Sequence, residues 1–129
     1  MPKLEKKAIL RPLKPGEPPR TGKRNLSSVI QFGDFLFVSG VGAHEGGDIR
    51  VQTKVVMDGL RSLLELAGSS CDKMLMATVY LTDMDDYPGM NEVYREYFTA
   101  DPPARSCVEV SDLPGKGGEL VEIDCIACI

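Results

Sequence analysis

From Ser27 onward the chain alternates runs of β-branched and aromatic residues with two stretches of helical period. Ser28–Gln31 and Asp34–Ser39 are two such runs separated by Phe32-Gly33-Asp34, the spacing of a hairpin with glycine at its turn. Gly40, Gly42, Gly46 and Gly47 predict a loop after them. Residues 49–67 place apolar side chains at Val51, Val55, Leu60, Leu63, Leu64 and Leu66-Ala67, with Gln52, Lys54, Asp58, Arg61 and Glu65 between them. That pattern predicts an amphipathic helix, with Asp48 as its N-cap and Gly68 as its stop. Lys73–Thr82 reads as a strand closed by Asp83. Tyr87–Phe98 returns to helical spacing, with Met90, Val93, Tyr94, Tyr97 and Phe98 on one side and Pro102-Pro103 beyond its end. Arg105–Ser111 and Glu119–Ile129 predict two more strands.

The order β-β-α-β-α-β-β points to an α+β domain in which two helices cover one face of a single mixed sheet. A second sheet face is then left bare. In a chain of 129 residues with no third layer, the natural cover is another copy of the same chain.

Charge divides the chain in two. Residues 1–25 hold eight basic side chains (Lys3, Lys6, Lys7, Arg11, Lys14, Arg20, Lys23, Arg24) against Glu5 and Glu17, whereas residues 26–129 hold seven basic against seventeen acidic. Five of the nine prolines (Pro2, Pro12, Pro15, Pro18, Pro19) also lie in the first segment, which blocks a continuous helix there. We therefore expect a basic, extended arm over 1–25, with a short edge strand around Ala8–Leu10, and a folded domain over 26–129. An acidic domain repels phosphate, so no nucleic-acid partner is expected. No apolar run approaches the ~18 residues of a membrane span, so no membrane partner is expected either, and a cytoplasmic protein is. Four cysteines without a secretory signal point to reduced thiols.

Most candidate chemistry has a plain structural explanation. Cys125-Ile-Ala-Cys128 matches C-x-x-C, but it ends a strand, where residues three apart face opposite ways. Redox C-x-x-C pairs instead sit at a helix N-terminus. A zinc site would need Cys71, Cys107 or His44 to converge on the pair. Asp83, Asp85 and Asp86 suit helix capping. Met74, Met76, Met84 and Met90 suit core filling. Arg105 differs in kind, because it follows Pro102-Pro103-Ala104 and opens a strand. A guanidinium held rigidly there suits bidentate capture of a carboxylate. On the last strand Glu122 and Asp124 share one face, and a carboxylate facing a cleft can serve as general base on water. A structural Arg105–Glu122 ion pair is the competing reading.

The run Pro102-Pro103-Ala104-Arg105-Ser106-Cys107-Val108-Glu109-Val110, with Leu113-Pro114 and then Leu120-Val121-Glu122-Ile123, resembles the signature of the RidA/YjgF family of imine and enamine deaminases. Phe35–Gly40, Ala77–Met84 and Met90–Tyr94 resemble further segments of that family, in order. The resemblance implies a chorismate-mutase-like fold, a homotrimer with a barrel-like centre, and active sites in the clefts between subunits. It also implies that Arg105 grips the carboxylate of a 2-imino or enamino acid and that Glu122 activates water, releasing ammonia and a 2-oxo acid. Ser39, the backbone at Gly40 and Cys107, and Asn91 would line the pocket. No cofactor and no metal is implied.

One departure stands out. The family's first-strand Gly-Pro-Tyr-Ser-Gln falls on Arg24-Asn25-Leu26-Ser27-Ser28, which puts Leu26 at the pocket tyrosine. Val41-Gly42-Ala43 likewise stands where Gln-Ile-Pro is common. The altered wall points to a non-standard imine or enamine, such as an aminomuconate-type ring-cleavage product. Two alternatives stay open: a non-catalytic trimer that holds carboxylate metabolites, in a chaperone-like role, and a ribonuclease or translation inhibitor.

Overall fold

In the computed structural model, which describes residues 4–44 and 46–129, the first stretch of helical period forms helix α1 (Ile49–Leu66). Its N-cap is Asp48, whose side chain accepts the Val51 amide at 3.0 Å, and Gly68 ends it with φ +84°. The face it buries differs from the expected one. Val56, Met57, Leu60 and Leu64 are buried, but so are Gln52 and Thr53, whereas Val51 and Leu66 are exposed. Gln52 is buried because both of its polar atoms are paired. Its Nε2 donates to the Gly47 carbonyl (3.1 Å) and the Gly118 carbonyl (2.9 Å), and its Oε1 accepts the Leu120 amide (2.8 Å). One side chain thus ties the helix to the loops at its start and before the last strand, with no buried polar atom left unpaired on it.

Six strands form one sheet: β1 (Lys7–Ile9), β2 (Val29–Phe32), β3 (Phe35–Gly42), β4 (Met74–Leu81), β5 (Ala104–Glu109) and β6 (Val121–Cys128), in spatial order β1-β2-β3-β6-β4-β5. All neighbours are antiparallel except β4 and β5. The sheet is therefore mixed, as the pattern implied. Its hairpin turn is tighter than expected, with only Gly33 and Asp34 between the strands. Gly33 has φ +59°, a requirement of such two-residue turns. The strand after it takes in Gly40 and Gly42, two of the four glycines expected in a loop, with a register shift between Val38 and Val41, while Gly46 and Gly47 lie in the loop before α1.

The basic arm contributes β1, one residue earlier than expected, paired with β2 at the sheet edge. Residues 1–3 of that arm, and Glu45 of the glycine loop, lie outside the described residues. The second helix is shorter than its pattern. Helix α2 spans Tyr87–Tyr94 and tightens into a 3₁₀ turn over Arg95–Tyr97 before the chain extends toward Pro102-Pro103. The strand after those prolines stops at Glu109 rather than Ser111.

Both helices lie on the same side of the sheet, α1 over β3 and β6 and α2 beside α1. The core between the layers joins α1 to Leu36, Val38, Ala77, Val79, Leu81, Ile123 and Ala127, with Met90 and Tyr94 of α2. Truncating any of its large members to alanine should cost ~2–5 kcal/mol. Met74 and Met90 belong to it, but Met84 is exposed in the turn before α2 and fills nothing. Along β6, Val121, Ile123, Cys125 and Ala127 point into this core, so Glu122, Asp124, Ile126 and Cys128 point to the bare face. Cys125 and Cys128 thus lie on opposite sides of the sheet. Burial pushes the Cys125 thiol up to about 12, the behaviour of an inert core cysteine.

Candidate active site

The path of β5 decides where Arg105 goes. Arg105 pairs with Ala77 of β4, and Ala77 pairs with Cys125 of β6, so all three lie on the helix side of the sheet. Because β5 is the edge strand, its side chains on that side meet α2. The Arg105 guanidinium lies 4.7 Å from the Tyr94 ring centroid and 5.5 Å from that of Tyr87. It also donates to the Tyr87 hydroxyl oxygen at 3.0 Å and sits 3.9 Å from the Met90 sulfur. Two aromatic faces hold the cation, each contact worth ~0.5–2 kcal/mol. Among the described residues no carboxylate pairs with it, so its charge is available to an anion.

A cavity of about 500 Å³ opens beside it, lined by Asn91, Tyr94, Arg95, Phe98, Ala100, Pro102, Pro103 and Arg105. Of the residues singled out in the sequence, Arg105 and Asn91 come together here. Cys107 follows two residues later on the same side of β5, half-buried, and burial raises its thiol pKa, so it stays protonated at neutral pH. Tyr87, Tyr94 and Arg95 were missed. The tyrosines left a signal, standing seven residues apart on the helix that precedes the arginine strand, a spacing that returns to one helix face, whereas Arg95 left none.

Glu122 occupies the other side of the sheet. It pairs with Tyr80 of β4 and Gly42 of β3, one residue out of phase with the buried positions. Its carboxylate fits only because Gly40 has no side chain: a Cβ there would stand 2.7 Å from Glu122 Oε2 and 2.8 Å from Cδ. Gly40 and Ser39 border a smaller groove of about 290 Å³ together with Asp124 and Phe37. Ser39 donates through its hydroxyl to the Ser27 carbonyl at 2.6 Å, which fixes the strand at its register shift. Burial raises the Glu122 carboxyl pKa above the usual glutamate value, and the neighbouring Asp124 charge adds to the effect. Tyr80 donates its hydroxyl to Asp124 at 2.9 Å. The exposed His44 is near enough to oppose the shift slightly.

The candidate residues of one chain therefore form two separate groups, one on each face of the sheet. Strand β4 and the thickness of the sheet separate Arg105 from Glu122, and the intramolecular ion pair considered above does not form. Asn91, Arg105 and Cys107 belong to one group, and Ser39, Gly40 and Glu122 to the other. Leu26 stands apart from both, exposed on the wall of a further pocket between the arm and α1 that includes Arg11, Arg20 and Arg24.

Fold and site together define a class: a two-layer α+β domain with two helices on a mixed six-stranded sheet and, in an aromatic groove at the sheet edge, an arginine with no carboxylate partner among the described residues. The sequence profile of the family described as Endoribonuclease L-PSP matches residues 20–129. A RutC family protein of Pyrococcus horikoshii is 44% identical over 108 residues, covering 78% of this chain and 84% of its own. The mitochondrial protein mmf2 of Schizosaccharomyces pombe is 37% identical over 108 residues, 78% of this chain and 85% of its own. Among solved structures, a Rid-family protein of unknown function from Yersinia pestis superposes with TM-score 0.83 at 32% identity, over 97% of this chain and all (100%) of that one. TdcF of E. coli with bound serine gives 0.77 at 26%, over 84% and 91%. The chain belongs to the YjgF/RutC/Rid family and has its chorismate-mutase-like fold.

Proposed function

We propose that the protein is a hydrolytic deaminase of reactive 2-imino or 2-enamino acids, working as a homotrimer whose active sites lie where the Arg105 half of one copy meets the Glu122 half of the next. The observation that carries this reading is the separation of the two half-sites on opposite faces of one sheet. Neither half alone can both hold a carboxylate and activate a water beside it.

The bare sheet face supports the assembly. Ile30, Phe32, Phe35, Phe37 and Ile126 share it by register, and Phe32, Phe35 and Phe37 are 40%, 50% and 44% exposed. Three large aromatic side chains in water on one face are a surface that association covers. A barrel-like centre made from three such faces would bury them.

In this mechanism the Arg105 fork holds the substrate carboxylate and so fixes the adjacent C=N carbon. An enamine first takes a proton at carbon to become the iminium. Glu122 of the neighbouring copy accepts a proton from water as the water oxygen bonds to that carbon, and the π pair moves to nitrogen. The same carboxyl then returns the proton to nitrogen; the hydroxyl gives its proton back to the Glu122 carboxylate as its oxygen pair forms the C=O bond, the C–N bond pair leaves with nitrogen, and ammonia and a 2-oxo acid depart. A raised carboxyl pKa suits both steps, since one group must take and give a proton near neutral pH. No cofactor enters the scheme. The serine bound to E. coli TdcF is an amino-acid carboxylate, which agrees with the assigned role of Arg105.

The Val41-Gly42-Ala43 segment, whose Gly42 pairs with Glu122, favours a substrate other than the smallest imines, an aminomuconate-type product among them; Leu26 stands apart from both halves and does not bear on that choice. A cytoplasmic location is part of the proposal, alongside a relative named as mitochondrial. No helix among the described residues is long and apolar enough to cross a membrane.

The test is 2-oxo acid release from imines generated in place by an amino-acid oxidase, starting with 2-iminopropanoate. Acceleration that both Arg105→Ala and Glu122→Gln abolish supports the proposal. If wild type and Arg105→Ala give equal rates on every imine tried, deamination is refuted. Retained 2-oxo acid binding with no turnover would instead favour the carboxylate-holding protein. The family description names a ribonuclease, but seventeen acidic against seven basic residues over 26–129 weigh against RNA. RNA cleavage by a chain lacking residues 1–24 would reverse that judgement.

A further inference from the structure

Residues 26–129 contain four arginines, and they divide cleanly. Arg50 meets Glu92 at 2.8 Å and Arg61 meets Asp58 at 3.0 Å. Arg95 and Arg105 have no carboxylate partner among the described residues, and both line the same cavity of about 500 Å³. Among the described residues no Asp or Glu lines it, and its remaining walls include Tyr94, Phe98 and two prolines. Arg95 is held by its Nε, which donates to the Asn91 carbonyl at 3.1 Å and leaves the two terminal nitrogens free. Two guanidiniums facing one aromatic-walled space, in a domain where acidic residues outnumber basic ones, form a site for two negative charges.

We propose that Arg95 binds a second carboxylate, so that the substrate is a 2-imino or 2-enamino dicarboxylate. This rests on the assignment of Arg105 as the clamp for the first carboxylate and deepens it. Charge balance favours two carboxylates, because a phosphate in place of the second would bring an excess negative charge to two cations. The cavity volume agrees, since about 300–1,000 Å³ is the range of pockets that take ligands well beyond a three-carbon acid. Arg95 stands at the turn that ends α2, one residue past the Tyr94 on which Arg105 stacks, so both cations are indexed to the same helix end.

Binding can be read without turnover, using stable 2-oxo acids on the full chain by titration calorimetry. Wild type should bind 2-oxoglutarate roughly 10- to 100-fold more tightly than 2-oxobutanoate, the worth of one charge-assisted contact. Arg95→Gln should erase that preference while leaving 2-oxobutanoate affinity unchanged, and Arg105→Ala should weaken both acids. Arg95 is exposed, so the substitution should leave thermal unfolding unchanged. Equal affinity of wild type for the two acids, or an unaltered preference in Arg95→Gln, overturns the proposal. Turnover of 2-iminopropanoate with no dicarboxylate preference would overturn this role for Arg95 and leave deamination standing. A preference that depends on Arg95, with no imine turnover, would support the dicarboxylate site and overturn deamination.

Discussion

If the working site joins Arg105 of one copy to Glu122 of another, two inactive variants must rescue each other. Arg105→Ala removes a charge-assisted fork that no other side chain on β5 can replace, a loss of ~3 kcal/mol or more in kcat/KM, about 100-fold. Glu122→Gln removes the proton acceptor and leaves the other half intact. When the two chains are unfolded together in equal amounts and refolded, each junction draws its Arg105 half and its Glu122 half independently. A junction is whole only when the first comes from a Glu122→Gln chain and the second from an Arg105→Ala chain, roughly one junction in four for random mixing in any closed ring. The mixture should therefore recover about a quarter of wild-type activity, far above either parent. The assay is 2-oxo acid release at fixed total protein, with mixed assembly verified by native mass spectrometry of chains that carry different tags. The topological basis is firm, since Arg105 shares its face with Ala77 and Cys125, while Glu122 pairs with Tyr80 on the other. Mixed oligomers no more active than the mean of their parents would refute the shared site.

Three further outcomes are expected. Gly40→Ala should drop activity at least ~10-fold with under ~1 kcal/mol lost in stability by urea titration, because the new Cβ displaces the flexible Glu122 carboxylate and strains no backbone; wild-type kcat/KM would refute it. The acid limb of kcat/KM should lie above the ordinary glutamate pKa of about 4.3, and vanish from the residual rate of Glu122→Gln. The sign for stability runs the other way, since a carboxyl pKa raised on folding favours the folded state at low pH and loses that contribution as pH rises through it. Glu122→Gln should accordingly melt no lower than wild type at pH 7, and a lower melting temperature would count against the burial argument. Gln52→Leu should cost ~2–4 kcal/mol by leaving the Gly47 and Gly118 carbonyls and the Leu120 amide without their partner, and a neutral result would show that water replaces it.

Much of the fold was legible because its signals are local. The hairpin at Gly33, the helix from Asp48 to Gly68 and the strand that follows Pro102-Pro103 are each fixed by period, cap and turn chemistry within a few residues. The errors have a common origin. Gln52 looked like the solvent side of α1, and it is buried because its partners lie as far as Gly118 and Leu120. The glycines at 40 and 42 looked like loop, and pairing with β6 keeps them in a strand. Met84 looked like core until the turn before α2 left it outside.

By itself, the sequence determined the elements, the acidic and basic division of the chain and the residue types able to do chemistry, Arg105 and Glu122 foremost. Only the tertiary structure decided which of them meet. Sheet order and register set the face on which each side chain stands, and both come from pairing strands far apart in sequence, where one residue of shift reverses every assignment. That is why Arg105 and Glu122, both singled out by residue type, lie on opposite sides of β4, and why Arg95, an ordinary surface arginine by pattern, stands in the same cavity as Arg105.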